Sequence, residues 1–222
     1  MKKLLLQAIL WFLSGLLSIA LLVFLPAGTL RYPGGWLLMC VVFLPMIPTG
    51  TVLLRKNPQL LKKRLSAKEK LGEQKAVIRL SGLMFLLGFA LAGLDFRFTW
   101  SQLPGFVHPL AAFLYLLGYA LYGEVLRENA YVSRTIEIQE GQRVIDTGLY
   151  GVVRHPMYSA TLILFLAMPL MLGSLLSFVC FLIYPFILSR RIKGEEALLE
   201  AGLEGYSAYK QKVKYRLIPF IW

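Results

Sequence analysis

Residues 157–188, MYSATLILFLAMPLMLGSLLSFVCFLIYPFIL, carry no charge over 32 positions. As one helix, rising about 1.5 Å per residue, they would extend about 48 Å, well past the roughly 30 Å of bilayer hydrocarbon. Gly173-Ser174 interrupts the run near its middle and reads as a turn. The charges on either side favour a hairpin. One face of the membrane then collects Lys2, Lys3, nine basic residues between 55 and 79, Arg127, Arg134, Arg143, Arg154 and seven basic residues of the tail. The other face receives only Arg31 and Arg97. A single long helix would carry the seven tail charges across, against the retention of basic loops in the cytoplasm.

Working outward, the same arithmetic applies to the earlier runs. Leu4–Leu25 follows Lys2 and Lys3 and is uncharged. It is longer than the apolar core of a signal peptide and lacks a clear A-x-A-like site, so a retained membrane helix is expected. Trp36–Leu54 contains Pro45 and Pro48, which predict a kink. Arg55–Arg79 is too polar to span and is expected to include a surface helix. Leu80–Gly93 and Phe106–Gly123 supply the third and fourth runs, with Leu94–Gly105 read as a loop bearing interfacial aromatics. Arg127–Tyr158 reads as an irregular connector, with brief alternation at Thr135–Ile138 and a turn at Glu140-Gly141. The tail is expected to be helical through Glu195–Lys210. The expected fold is all-α: a polytopic membrane helical bundle of about six segments with a C-terminal hairpin and both termini cytoplasmic. Two regions are expected, membrane helices over 1–126 and a catalytic region over 127–222.

Composition agrees. Of 222 residues, 57% are hydrophobic, against the roughly 45–50% usual in soluble domains. The net charge of +12 belongs to loops facing the anionic inner leaflet. Basic residues and aromatics are not interleaved as nucleic-acid binding requires, so no nucleic-acid partner is expected. Cys40 and Cys180 both sit in apolar runs, and no Cys/His spacing suggests a metal. The runs show no charge pair or polar stripe of the kind carriers hold at membrane depth.

Chemistry is therefore sought at the connector and tail, which the hairpin brings to one side. Arg154-His155-Pro156-Met157-Tyr158 enters the hairpin; Arg191, Glu195 and Glu196 leave it. The first group also fits a helix start, with Pro156 in the first turn. His108, beside Pro109, reads as interfacial decoration. Arg191 and Glu195 stand one helical turn apart. They form either a solvated salt bridge of small value or a split pair that holds a ligand's carboxylate and ammonium.

The residues Val144-Ile145-Asp146-Thr147-Gly148-Leu149-Tyr150-Gly151-Val152-Val153-Arg154-His155-Pro156-Met157-Tyr158 resemble the signature of the isoprenylcysteine carboxyl methyltransferase family. The tail, Arg191-Ile192-Lys193-Gly194-Glu195-Glu196 with Tyr206, Tyr209 and Arg216–Phe220, is similar to that family's C-terminal pattern. The resemblance covers roughly residues 118–222. It implies S-adenosylmethionine as methyl donor and a lipid-like acceptor, such as a prenylated cysteine, drawn from the surrounding membrane lipids. Tyr150, His155, Pro156, Met157 and Tyr158 would line the cofactor, with Gln142, Arg143, Val144 and Ile145 beside them. Glu195, with Glu196 next to it, would bind the donor's amino group, and Arg191 would face the acceptor carboxylate. Arg191, Tyr158 and Arg154 are the expected catalytic residues, and no metal is expected. Gln142 stands where eukaryotic members have His, and Ser159-Ala160 replaces the usual small residue plus Gly. Membrane sterol reductases carry a similar Arg-His-Pro-x-Tyr element, so an NADPH-dependent reductase is a competing expectation. A phospholipid or amine N-methyltransferase is another, which would need His155 or Glu196 as a base. A non-catalytic scaffold or carrier is a third.

Overall fold

A computed structural model describes residues 2–66, 72–132 and 136–222, without the side chains of residues 63, 66 and 72–74. Lys68, Lys70, Arg134 and Thr135, weighed above, lie outside the described residues.

The long apolar runs are helices. They are α1 (Lys2–Ala27), α2 (Pro33–Lys56), α4 (Gly72–Phe98) and α5 (Val107–Glu128), with the short α3 (Pro58–Ser66) between α2 and α4. Then come α6 (Pro156–Met171), α7 (Leu175–Phe181), α8 (Tyr184–Gly202) and α9 (Tyr206–Lys212). Among the described residues, five stretches are long and apolar enough to cross a membrane, α7 and α8 counting as one, and α6 is a shorter apolar helix. The protein is an all-helical, multi-pass membrane bundle.

The hairpin is present. α6 ends at Met171, Gly173 turns the chain at φ +75°, and α7 starts at Leu175. The Ser174 side chain caps α7 by accepting from the Ser177 amide at 3.0 Å. α2 runs helically through both prolines. The Thr49 hydroxyl donates to the Pro45 carbonyl at 2.9 Å, and Tyr119, from α5, donates to Thr49 at 2.9 Å. One hydrophobic core draws on α1, α2, α4, α5, α6, α7 and α8 together. Small residues permit the closest crossings. A Cβ on Gly93 would lie 2.5 Å from the Val23 carbonyl oxygen, and one on Gly118 would lie 3.3 Å from that of Ala160.

Three expectations change. The third run is longer than Leu80–Gly93, because flanking polar residues continue the helix on both sides. Asp95 is therefore on α4 and not in a loop. It is 2% exposed and accepts from the Ser101 amide at 2.6 Å, from the Ser101 hydroxyl at 2.7 Å, and from the Ser174 hydroxyl. His108 does more than decorate the interface, since its Nδ1 bonds the Met171 carbonyl at 2.9 Å. Tyr32 donates to the Leu172 carbonyl at 2.5 Å. Met171 and Leu172 are among the last carbonyls of α6, which have no partner within the helix. Three elements thus converge to pin the hairpin turn. Finally, the tail is not one helix over Glu195–Lys210. α8 continues from the membrane to Gly202, and Gly205, at φ +81°, begins α9.

Candidate active site

At the end of the bundle opposite the hairpin turn, the connector, α6, α8 and α9 enclose a cup. Counting the part open to solvent, it holds about 830 Å³. A buried ion cluster organises it. Glu196, on α8, is 3% exposed. Arg154 Nε donates to its Oε1 at 2.8 Å, Arg216 NH2 lies 3.0 Å from Oε2, and His155 Nε2 lies 3.2 Å from Oε1. A carboxylate only accepts, so His155 is the donor. Arg154 also donates to the carbonyls of Val213 at 2.8 Å and Lys214 at 2.7 Å. The amides of Arg154 and His155 donate to the carbonyls of Tyr215 and Arg216, each at 2.9 Å. Connector, α8 and tail are tied here into one wall. A buried charge with this many partners is tolerated, and removing one partner is costly.

The working face of the cup is separate. Tyr158, in the first turn of α6, donates to Glu195 Oε2 at 2.5 Å and accepts from Arg191 Nε at 2.9 Å. Its hydroxyl thus stands between the cation and the carboxylate. The His155 ring stacks on Tyr158 with centroids 5.7 Å apart. Gln142, Arg143, Val144, Ile145, Tyr150, Arg154, Met157 and Leu199 complete much of the lining. Tyr150 lies in a 3-10 turn, Gly148–Gly151. Burial pushes its phenol up to about 12; the Asn129 side chain and, more weakly, the Arg64 charge pull the other way, and Glu195 and Glu128 raise it further. It is neutral at physiological pH. Tyr209, on α9, donates to the Tyr150 carbonyl at 2.8 Å.

Two of the sequence-derived residues are not on the lining. Pro156 is buried at the start of α6, and Glu196 serves the ion cluster. Several lining residues were not foreseen as such: Asn129, Tyr131, Val132, Ile136, Glu137, Leu199 and Leu203. Most lie in the irregular connector, where no periodic signal marks a facing side; Leu199, one turn beyond Glu195 on α8, could have been found by the i,i+4 spacing. Tyr206 also lines the cup, and its buried hydroxyl has no hydrogen-bond partner among the described residues. Such a group ordinarily serves a ligand or water. Burial, reinforced by the Glu196 and Glu195 charges, pushes its pKa well above the usual phenol range, so it stays protonated and a donor. Among the described residues no cluster of His, Cys, Asp and Glu fit for a metal occurs.

Sequence comparisons point to two kinds of known protein. A Delta(14)-sterol reductase from Mus musculus is 32% identical over 91 residues, which is 40% of this chain. The match spans only 22% of that relative's length. The family that the chain matches is the Isoprenylcysteine carboxyl methyltransferase (ICMT) family, whose model covers residues 110–201, the stretch that carries Tyr158, Arg191 and Glu195 to a common point.

Proposed function

We propose that this membrane protein is an S-adenosylmethionine-dependent methyltransferase acting on the carboxylate of a lipid-like acceptor of the isoprenylcysteine type. The observation that carries the reading is the Tyr158 hydroxyl held between Glu195 and Arg191. A carboxylate for an ammonium group and a guanidinium for a carboxylate stand side by side in one cup. The residues present fit the donor. Glu195 would take its amino group, the Tyr206 hydroxyl, unpartnered among the described residues, offers a hydrogen bond, and Tyr150 with Val144 and Ile145 would pack its apolar and ring portions.

When bound, the donor supplies an already activated sulfonium methyl. The protein's task is then to orient and to exclude water. Arg191 holds the acceptor's carboxylate, which is ionised near pH 7 and needs no base. Transfer of that methyl to the carboxylate oxygen held by Arg191 would turn a carboxylate and a sulfonium into a neutral ester and a neutral thioether, so no residue would have to move a proton. This favours a carboxylate over an amine acceptor, because His155 and Glu196, the candidate bases, are bound to each other and to arginines. We place the cup on the cytoplasmic side, following the basic residues.

A calorimetric titration of purified protein with S-adenosylmethionine tests the reading. Binding is expected, and Glu195→Ala is expected to weaken it about tenfold or more, the loss of one charge-assisted contact. Absence of binding to the wild type defeats it. The likeness to a sterol reductase supports a second reading, a nicotinamide-dependent reductase. In that case NADPH binds in the same titration and the methyl donor does not.

A further inference from the structure

Arg64 lies outside the residues matched by the family, in the basic segment between α2 and α4. Its setting is unlike that of a solvated lysine or arginine. On α3, Leu60 and Leu61 are buried at 3% and 7% exposure. Arg64 follows them by four and three positions, so it shares their inward stripe. Its guanidinium reaches away from α3 to the two helices that frame the cup. NH1 donates to the Tyr122 hydroxyl on α5, and NH2 approaches Met157 Sδ on α6 at 4.0 Å. The guanidinium carbon sits 5.2 Å from the Tyr122 ring centroid. Met157 lines the cup, and its chain neighbour Tyr158 is the residue that Arg191 holds. Two guanidiniums, one from α3 and one from α8, thus abut consecutive residues of α6.

We infer that Arg64 is a second acceptor-binding residue: where the ends of α5 and α6 meet the cup it shares the acceptor's carboxylate with Arg191 and selects anionic over neutral lipids. The inference rests on the methyl-transfer reading. Arg64 spends an end-on donor on a thioether, which is a weak acceptor. A carboxylate that displaces the sulfur gains charge-assisted, two-point contacts with the fork. The displacement is easy, since the methionine side chain is unbranched and flexible. An acceptor drawn from the bilayer has its apolar part among the helices and only its acidic end at the cup. A cation at that boundary distinguishes an acid from the neutral lipids around it, and from the neutral ester that must leave after transfer.

The test compares N-acetyl-S-farnesylcysteine with its neutral carboxamide, each binding at equilibrium to the full chain in detergent without methyl donor. Wild type, Arg64→Met and Arg64→Lys are measured. Arg64→Met is expected to weaken the acid about tenfold or more, as loss of a two-point ionic contact predicts, while the amide changes less than about twofold. Arg64→Lys, which keeps the charge and loses the fork, falls between. In turnover the KM for the acid rises while kcat and the affinity for S-adenosylmethionine hold. Equal weakening of acid and amide makes Arg64 a latch between helices and overturns the inference, as does an unchanged acid affinity or a wild type that binds both alike. Should Arg64→Met fail to fold, Arg64→Lys and Tyr122→Phe give the same comparison. Absence of S-adenosylmethionine binding sinks the methyl-transfer reading alone, because the acid–amide ratio is measured without it.

Discussion

At the scale of single residues, two adjacent glutamates do different work. Glu195 faces the cup and meets the Tyr158 hydroxyl; Glu196 faces away and neutralises Arg154 and Arg216 beside His155. Substitutions therefore separate them. Glu196→Gln leaves buried Arg154 without its counter-charge and is expected to cost about 3–5 kcal/mol, seen as a large drop in detergent melting temperature. Glu195→Gln, on the rim of a solvated cup, is expected to melt within a few degrees of wild type and to lose donor affinity. Tyr158→Phe removes the hydroxyl common to Arg191 and Glu195. Its expected effect is a severalfold or greater loss of methyl transfer with little change in melting, read by a radiolabelled-methyl assay; equal activity would show that the two charged groups keep their places unaided. The sequence distinguished the pair poorly. An i,i+4 spacing shows that Glu195 shares a face with Arg191, but the partners of Glu196 come from the connector and from Arg216, which no helical period connects.

At the scale of elements, the hairpin turn is held by groups from three other segments. Tyr32 and His108 take the carbonyls of Leu172 and Met171, and Asp95 takes the Ser174 and Ser101 hydroxyls. Asp95→Ala strips a buried acceptor from both serines. A loss of about 1–3 kcal/mol is expected, the cost of leaving buried donors unsatisfied, measurable by chemical or thermal unfolding in detergent. Gly34→Val is expected to be worse still. A Cβ there would stand 2.8 Å from the Met171 carbonyl oxygen, so the α2–α6 crossing must open; failure to recover folded protein is the expected outcome, and normal yield would contradict it. The hairpin itself was readable, because Gly173-Ser174 breaks an uncharged run of excess length and the charges on its two sides agree. Its fastening was not. Asp95 lies one residue past Leu94, where hydropathy falls and a loop was expected, yet the helix continues to Phe98 because backbone hydrogen bonding does not stop where side chains become polar. That α8 runs unbroken from the membrane through residues 189–194 into the expected tail helix was not foreseen, for the same reason.

At the scale of the whole molecule, the bundle divides its chemistry by face. The pinned turn and Asp95 occupy one end, and the cup, the tail and α3 the other. If α6 crosses along with the five longer stretches, the number of crossings is even and α1's first residues and α9 share a side. Single cysteines introduced at Lys3 and at Lys212 of a variant lacking Cys40 and Cys180 are expected to react alike with a membrane-impermeant maleimide, both protected in intact cells and both labelled after lysis. Opposite behaviour would remove α6–α8 as a hairpin. Composition made the membrane class legible, and the connector's motif made the cup's general position legible. The participation of α3 was not, since a basic loop beside a membrane is amply explained by the inner leaflet.

The bonds from Arg154 and His155 to the carbonyls of residues 213–216, and from Arg216 to Glu196, impose an order on biosynthesis. When the ribosome has made the hairpin and all of α8, the wall around Glu196 still lacks its last strut. Until the segment about sixty residues after Arg154 has emerged, that arginine must stay hydrated, so the cup cannot close on a nascent chain. Premature termination before Val213 would yield a correctly inserted bundle with an open, charge-exposing end, a form that cellular quality control can recognise at the membrane surface.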